Sequence, residues 1–213
     1  MVGSLVQVAQ SSMTTISDLY ALIIEAAERR DGEALRKSAY DLETFMMYGD
    51  GTAVEEAASC IMDLTALDYF LRTPGAWHVL FAVRHDVERL SAEQRRRLFE
   101  AIIEAYPRFS DWMSRFVISE LLEYFPTSEA VDAMRLHVAN DDPGVRRYLS
   151  HGFEHIAYGA SDATVRHDAL FSVARLLKDA DAEVRKEAED ALRRVISRGG
   201  AIGDAAEEVL AAG

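Results

Sequence analysis

The sequence predicts an all-α protein, a solenoid of about five antiparallel helical hairpins. Three observations carry this. The pattern Asp-x-x-Val-Arg occurs three times: Asp142-Pro143-Gly144-Val145-Arg146, Asp162-Ala163-Thr164-Val165-Arg166 and Asp181-Ala182-Glu183-Val184-Arg185, at spacings of 20 and 19 residues. The apolar positions after each motif recur in one frame. Val145, Leu149, Phe153 and Ile156 map onto Val165, Ala169, Val173 and Leu176, then onto Val184, Ala188, Leu192 and Val195. Steps of 4, 4 and 3 place each set on one helical face. Third, no apolar run elsewhere is long or regular enough to build a sheet. Equal helices in tandem stack into solenoids, with a compact irregular bundle as the alternative.

The elements follow in order. Ile16, Leu19, Ile23 and Ala27 predict a first helix over about 16–30, stopped by Asp31-Gly32. Leu35, Ala39, Leu42 and Met46 give a second over about 33–48. Val54, Ala57, Ile61, Leu64, Leu67 and Leu71 give a third, running unbroken to Arg72, where Thr73-Pro74-Gly75 breaks it. A fourth covers about 76–89. Ser91-x-x-Gln94 is a capping-box signature opening a fifth, to about Tyr106. Pro107 ends it, and Ser110 caps a sixth, to about Phe125. Pro126-Thr127 starts a seventh, to about Asn140. The three repeat helices come next, capped by Asp142, by Asp162 or Ser161, and by Asp181, with Pro143 at a first position that needs no donor. Gly199-Gly200 closes the last repeat, and a short helix over 204–212 caps the stack.

The three motifs resemble the HEAT-repeat family, whose second helices often open with Asp and carry Val-Arg. The resemblance covers about residues 127–197. It implies an α-solenoid in which Asp142/Arg146, Asp162/Arg166 and Asp181/Arg185 form a structural ladder. The chain then divides into a loose lead-in, 1–12, and a single helical-repeat domain, 13–213. Its divergent, acidic half is 13–126, and its HEAT-like half with the closing helix is 127–213.

Apolar content of 49% and charged content of 28% over 213 residues are ordinary for a globular chain with a substantial core. No stretch approaches a membrane span, and the N-terminus lacks the basic region and long apolar run of a secretory signal. A single cysteine, Cys60, suits a reducing, cytoplasmic setting and reads as a packed thiol.

The net charge of −13 is unevenly placed. Residues 1–70 hold twelve acids against four bases, and no Lys or Arg occurs from Ser38 to Leu71, whereas 142–213 hold thirteen acids and ten bases. Such a field argues about partners. It predicts a basic protein partner meeting Asp41, Glu43, Asp50, Glu55, Glu56, Asp63 and Asp68, with Tyr48, Tyr69 and Trp77 as aromatic anchors, unless those rings are core. It counts against nucleic acid, which needs cationic surface. The basic runs Arg95-Arg96-Arg97, Arg146-Arg147 and Arg193-Arg194 are too short and scattered.

Chemistry is sparse. His151-Gly152-Phe153-Glu154-His155 matches the His-x-x-Glu-His of inverted zinc peptidases, but the repeat frame already explains Phe153 and no α/β context surrounds it. The two histidines therefore read as non-ligands, with no metal, cofactor or catalytic residue expected. His78 and His85 are too far apart to share a ligand. Nucleotide-binding glycine motifs, nucleophile elbows and paired cysteines are absent. The expected function is a non-catalytic module that clamps a basic protein, with an immunity or antitoxin-type inhibitor as one example. The alternatives are a HEAT-like enzyme, DNA glycosylase-like or bilin lyase-like, and an assembly scaffold.

Overall fold

The computed structural model describes residues 15–85 and 87–212, so the expected lead-in over 1–12 lies outside the described residues. The fold is all-α. Among the described residues there are twelve α-helices and no strand, and no helix is long and apolar enough to cross a membrane. They are α1 (Ile16–Glu28), α2 (Gly32–Tyr48), α3 (Gly51–Thr65), α4 (Asp68–Leu71), α5 (Ala76–Phe81), α6 (Ala92–Ala105), α7 (Trp112–Glu120), α8 (Ser128–Arg135), α9 (Pro143–Gly159), α10 (Ala163–Leu176), α11 (Ala182–Arg198) and α12 (Gly200–Ala212).

The C-terminal repeats fold as the periodicity predicts. Asp142, Asp162 and Asp181 are the N-caps, accepting from the backbone N–H of Gly144, Thr164 and Glu183. Val145, Leu149, Phe153, Ile156, Val165, Val173, Leu176, Val184, Leu192 and Val195 are all buried. α9 packs on both α10 and α11, and α10 on both α11 and α12, so each helix meets its next and next-but-one neighbour.

The motif arginines do something other than the expected Asp–Arg ladder. Arg146 donates to the Asn140 carbonyl at 2.6 Å, Arg166 to Ala160 at 2.8 Å and Arg185 to Asp179 at 2.7 Å. In each case the guanidinium folds back six residues onto the preceding loop. These loop carbonyls have no helical partner, so the arginine satisfies them. The motif thus codes one cap for N–H groups and one for carbonyls. Of the motif arginines, Arg146 also bridges to the next repeat, bidentate to Asp179 at 2.8 and 2.9 Å. Asp142 pairs instead with Arg115 at 2.8 Å.

Upstream, the helices are shorter than their apolar periods suggest. The third predicted helix ends at Thr65, whose hydroxyl turns back to the Met62 carbonyl at 2.6 Å, and resumes as the single turn α4. Thr73-Pro74-Gly75 does break the chain. The buried Thr73 hydroxyl bonds the carbonyls of Tyr69 and Ala27, and Gly75 takes φ +82, where only glycine is unstrained. The fourth helix stops at Phe81 and tightens into 3-10 turns over Ala82–His85 and Val87–Arg89. Asp111, not Ser110, caps α7, through Ser114 N–H and hydroxyl. α7 ends at Glu120 in a 3-10 turn, Leu121–Tyr124, and α8 ends at Arg135, after which the backbone bonds tighten to three-residue spacing. The closing helix starts at Gly200 rather than 204.

One apolar cluster runs from Ile16 to Val209. The halves are also joined by polar contacts. Buried Tyr106 donates to the Val145 carbonyl at 3.1 Å, and buried Ser119 to Tyr148 at 3.1 Å.

Candidate functional site

The structure distributes the ten predicted partner-binding residues over several patches. Glu55, Glu56 and Asp63 come together. All three are exposed along α3 and line one groove of about 490 Å³ with Ser17 and Tyr20 of α1 and Gln94 of α6. Their spacing puts them on the face of α3 opposite Val54, Ala58, Ile61 and Thr65, which are buried. Among the described residues none of the three pairs with a Lys or Arg. Cys60 lies in the groove wall but is 6% exposed, and burial, then Asp63, pushes its thiol up to about 12. Such a thiol stays protonated and is a poor nucleophile.

Glu43 and Asp68 are different, and here the base-free stretch misleads. Arg84 reaches Glu43 at 2.9 Å from 41 residues downstream. Arg108 reaches Asp68 at 2.6 Å while also donating to the Thr65 and Ala66 carbonyls. The Arg108 hydrogen bonds hold the Asp68 carboxyl below its usual range, with Arg72 assisting. Downstream arginines therefore cancel part of the local field. Asp50 is spent as the N-cap of α3, accepting from Ala53 N–H, and Asp41 is half-buried on α2.

The aromatic anchors divide as well. Tyr48 is 78% exposed and Tyr69 40%, so both are available to a partner. Trp77 is half-buried, stacked on His78 with ring centroids 3.6 Å apart. It lines a shallow cleft with Tyr40, Glu43, Arg36 and Arg84, not the groove of α3.

In the other half, the His-x-x-Glu-His segment is part of α9. Glu154, expected as a catalytic base under the peptidase pattern, is 2% exposed and fully engaged. Arg194 clamps it with three contacts at 2.7–3.0 Å, and Tyr158 donates to it at 2.6 Å. Burial pushes this carboxyl up, but hydrogen bonds from His151, Arg194 and Tyr158 more than offset that and hold it at about 2. A carboxylate so occupied cannot serve as a base. Tyr158 and Arg194 lie outside the apolar repeat frame, and nothing in the sequence marks them as partners of Glu154.

No family model matches the chain, and no curated protein does. One solved structure is similar, the crystal structure of an engineered protein, with 16% identity and a TM-score of 0.44 over 91% of this chain and 95% of that one. A likeness that loose carries no argument.

Proposed function

We propose that the protein is a non-catalytic binding module, HEAT-like in its C-terminal half, that engages a basic protein segment through the α1–α3–α6 groove. One observation carries the reading. Glu55, Glu56 and Asp63 line the same groove, exposed, and no described cation neutralises them. The groove supplies charge for steering and the Tyr20 ring for contact. Tyr48 and Tyr69 are exposed as further aromatic contacts. An immunity-type inhibitor of a basic enzyme fits this chemistry. A glycosylase-like enzyme does not, because carboxylates repel phosphate.

The test is affinity capture by the immobilised protein, followed by association kinetics with the purified partner at rising salt. A basic partner, an on-rate falling as salt rises, and a further drop of roughly tenfold or more for Glu55→Lys with Glu56→Lys support the reading. An acidic partner, or a footprint confined to 142–213, sinks it.

A further inference from the structure

We propose a divalent transition-metal site at the α7–α9 crossing, formed by Nε2 of His151, Nε2 of His155 and the carboxylate of Glu120. One ligand atom from each residue, a ring nitrogen or a carboxylate oxygen, lies within 4.8 Å of those of the other two. This goes beyond the binding reading, uses the other half of the molecule, and departs from the expectation that the two histidines are non-ligands.

Three features distinguish the cluster from an incidental pair of surface histidines. The first is an orphan. The His151 side chain is 8% exposed, yet its Nε2 has no hydrogen-bond partner. Glu120 Oε1 lies 3.8 Å away, too long for a hydrogen bond. A buried ring nitrogen left bare costs free energy that a metal ion would recover.

The second is tautomer control. His151 Nδ1 lies 3.3 Å from Glu154 Oε2, and His155 Nδ1 lies 3.0 Å from Glu123 Oε2. A carboxylate only accepts, so each Nδ1 carries the proton and donates it. Each Nε2 is then left with its lone pair. A carboxylate behind each ring is the arrangement that orients ligating histidines and raises their basicity. Here it occurs twice, and from different elements: Glu154 from α9 itself and Glu123 from the 3-10 turn after α7. Glu154 is anchored in turn by Arg194 and Tyr158, and Phe116 stacks on the His151 ring at 4.3 Å, so the ring cannot swing away.

The third is the crossing itself. α9 lies close against α8 and the 3-10 turn after α7, where Gly152 and Gly159 have no side chains. A Cβ on Gly152 would sit 2.7 Å from Met134 Cε and 2.9 Å from Leu122 Cδ1, and one on Gly159 would collide with the Glu123 carbonyl. The two glycines thus set Glu120 and Glu123 over the histidines.

Metal–ligand bonds of about 2.0–2.1 Å at tetrahedral angles put donors about 3.3–3.4 Å apart, so the set must contract on loading. Glu120, at 35% exposure, has the freedom to do this. Two imidazoles and one carboxylate suit zinc or ferrous iron and leave coordination positions open to water or a ligand. Magnesium, which prefers oxygen donors, should be refused.

The experiment titrates metal-free, untagged protein with zinc, with cobalt(II) as a visible reporter, and anaerobically with ferrous iron, keeping magnesium as the control. One equivalent should bind, with a cobalt d–d band, and melting should rise with zinc because the ion binds only the folded state. Zinc should bind more tightly than ferrous iron, as it does at most such donor sets, so the cobalt spectrum rather than the affinity order reports the site's geometry. Glu120→Gln and His155→Gln should each abolish the cobalt band, and Glu123→Gln should weaken affinity roughly 10–100-fold. Circular dichroism checks that each variant is folded. His151 is left intact because it is core. The proposal is overturned if no stoichiometric zinc or iron binds. It is equally overturned if binding survives unchanged in the Glu120→Gln, His155→Gln double variant, which would place the ion elsewhere, for example among Glu55, Glu56 and Asp63.

Discussion

The two halves of this chain use charge and backbone in opposite ways. In the C-terminal half, three long helices carry a repeated cap, and several of their charges are turned onto neighbours. Arg146 binds Asp179, Arg194 binds Glu154 and Glu187, and Arg115 binds Asp142. In the N-terminal half, helices break into single turns and 3-10 segments, and Glu55, Glu56 and Asp63 are left facing solvent. Repetition explains the difference. A repeated helix can evolve one solution for its ends and reuse it, whereas irregular helices must settle each junction separately.

The comparison breaks first on the core. Leu149, Leu192 and Leu42 are all fully buried, the first two in the repeats and the third in α2. Each change to Ala should cost about 2–5 kcal/mol in denaturant unfolding. The apolar cluster is continuous, so all three should shift one common transition. Two separable transitions would show that the halves are independent units.

The next largest effect has opposite signs in the two halves. Gly159→Ala at the end of α9 runs into the Glu123 backbone carbonyl, and should cost about 1–3 kcal/mol. Gly51→Ala, in the first turn of α3, meets nothing within 4 Å, and should stabilise by about 0.4–1 kcal/mol through the unfolded chain. Equal effects at both positions in thermal melts would remove the case that glycine lets α9 approach the turn after α7.

What could be read in the sequence follows the same divide. The repeats were legible because cap and core carry the same period, so each confirms the other. The break at Ala66-Leu67 was not. Val54 to Leu71 keeps helical spacing through it, and no Gly or Pro marks it; the Thr65 hydroxyl and the docking of Arg108 onto the Thr65 and Ala66 carbonyls accompany it. For the candidate groove, the acids on α3 were legible, but the cancellation of Glu43 and Asp68 depends on arginines 41 and 40 residues away. The histidine pair on α9 was likewise visible as a pattern. The carboxylates that face it, Glu120 and Glu123, come from another element, and His155 meets Glu123 across 32 residues of chain. Local spacing cannot report such meetings.

Helix caps should make the halves alike again. Asp181 bonds two N–H groups of α11 and Asp50 one of α3. Either change to Ala should cost about 1 kcal/mol, and urea midpoints would show it. If Asp50→Ala is neutral while Asp181→Ala is not, α3 is held by packing alone, and Asp50 returns to the set of acids free for a partner.

The smallest expected effect on stability separates structure from recognition most sharply. Glu55 and Glu56 are exposed and pair with no described cation. Reversing both to Lys removes no contact, so unfolding free energy should stay within about 0.5 kcal/mol of the parent. The small shift that does occur should be stabilising at low salt, because the variant relieves repulsion with Asp63 across one groove, and salt should erase it as screening shortens to about 8 Å. Glu43→Lys supplies the contrast. It breaks the bond to Arg84 and sets two cations together, so it should destabilise, and salt should lessen the loss. Measuring both variants at two ionic strengths reads the sign of the local field directly. If the Glu55, Glu56 reversal destabilises, these carboxylates hold the fold, and the groove loses its claim as a surface kept open for a basic partner.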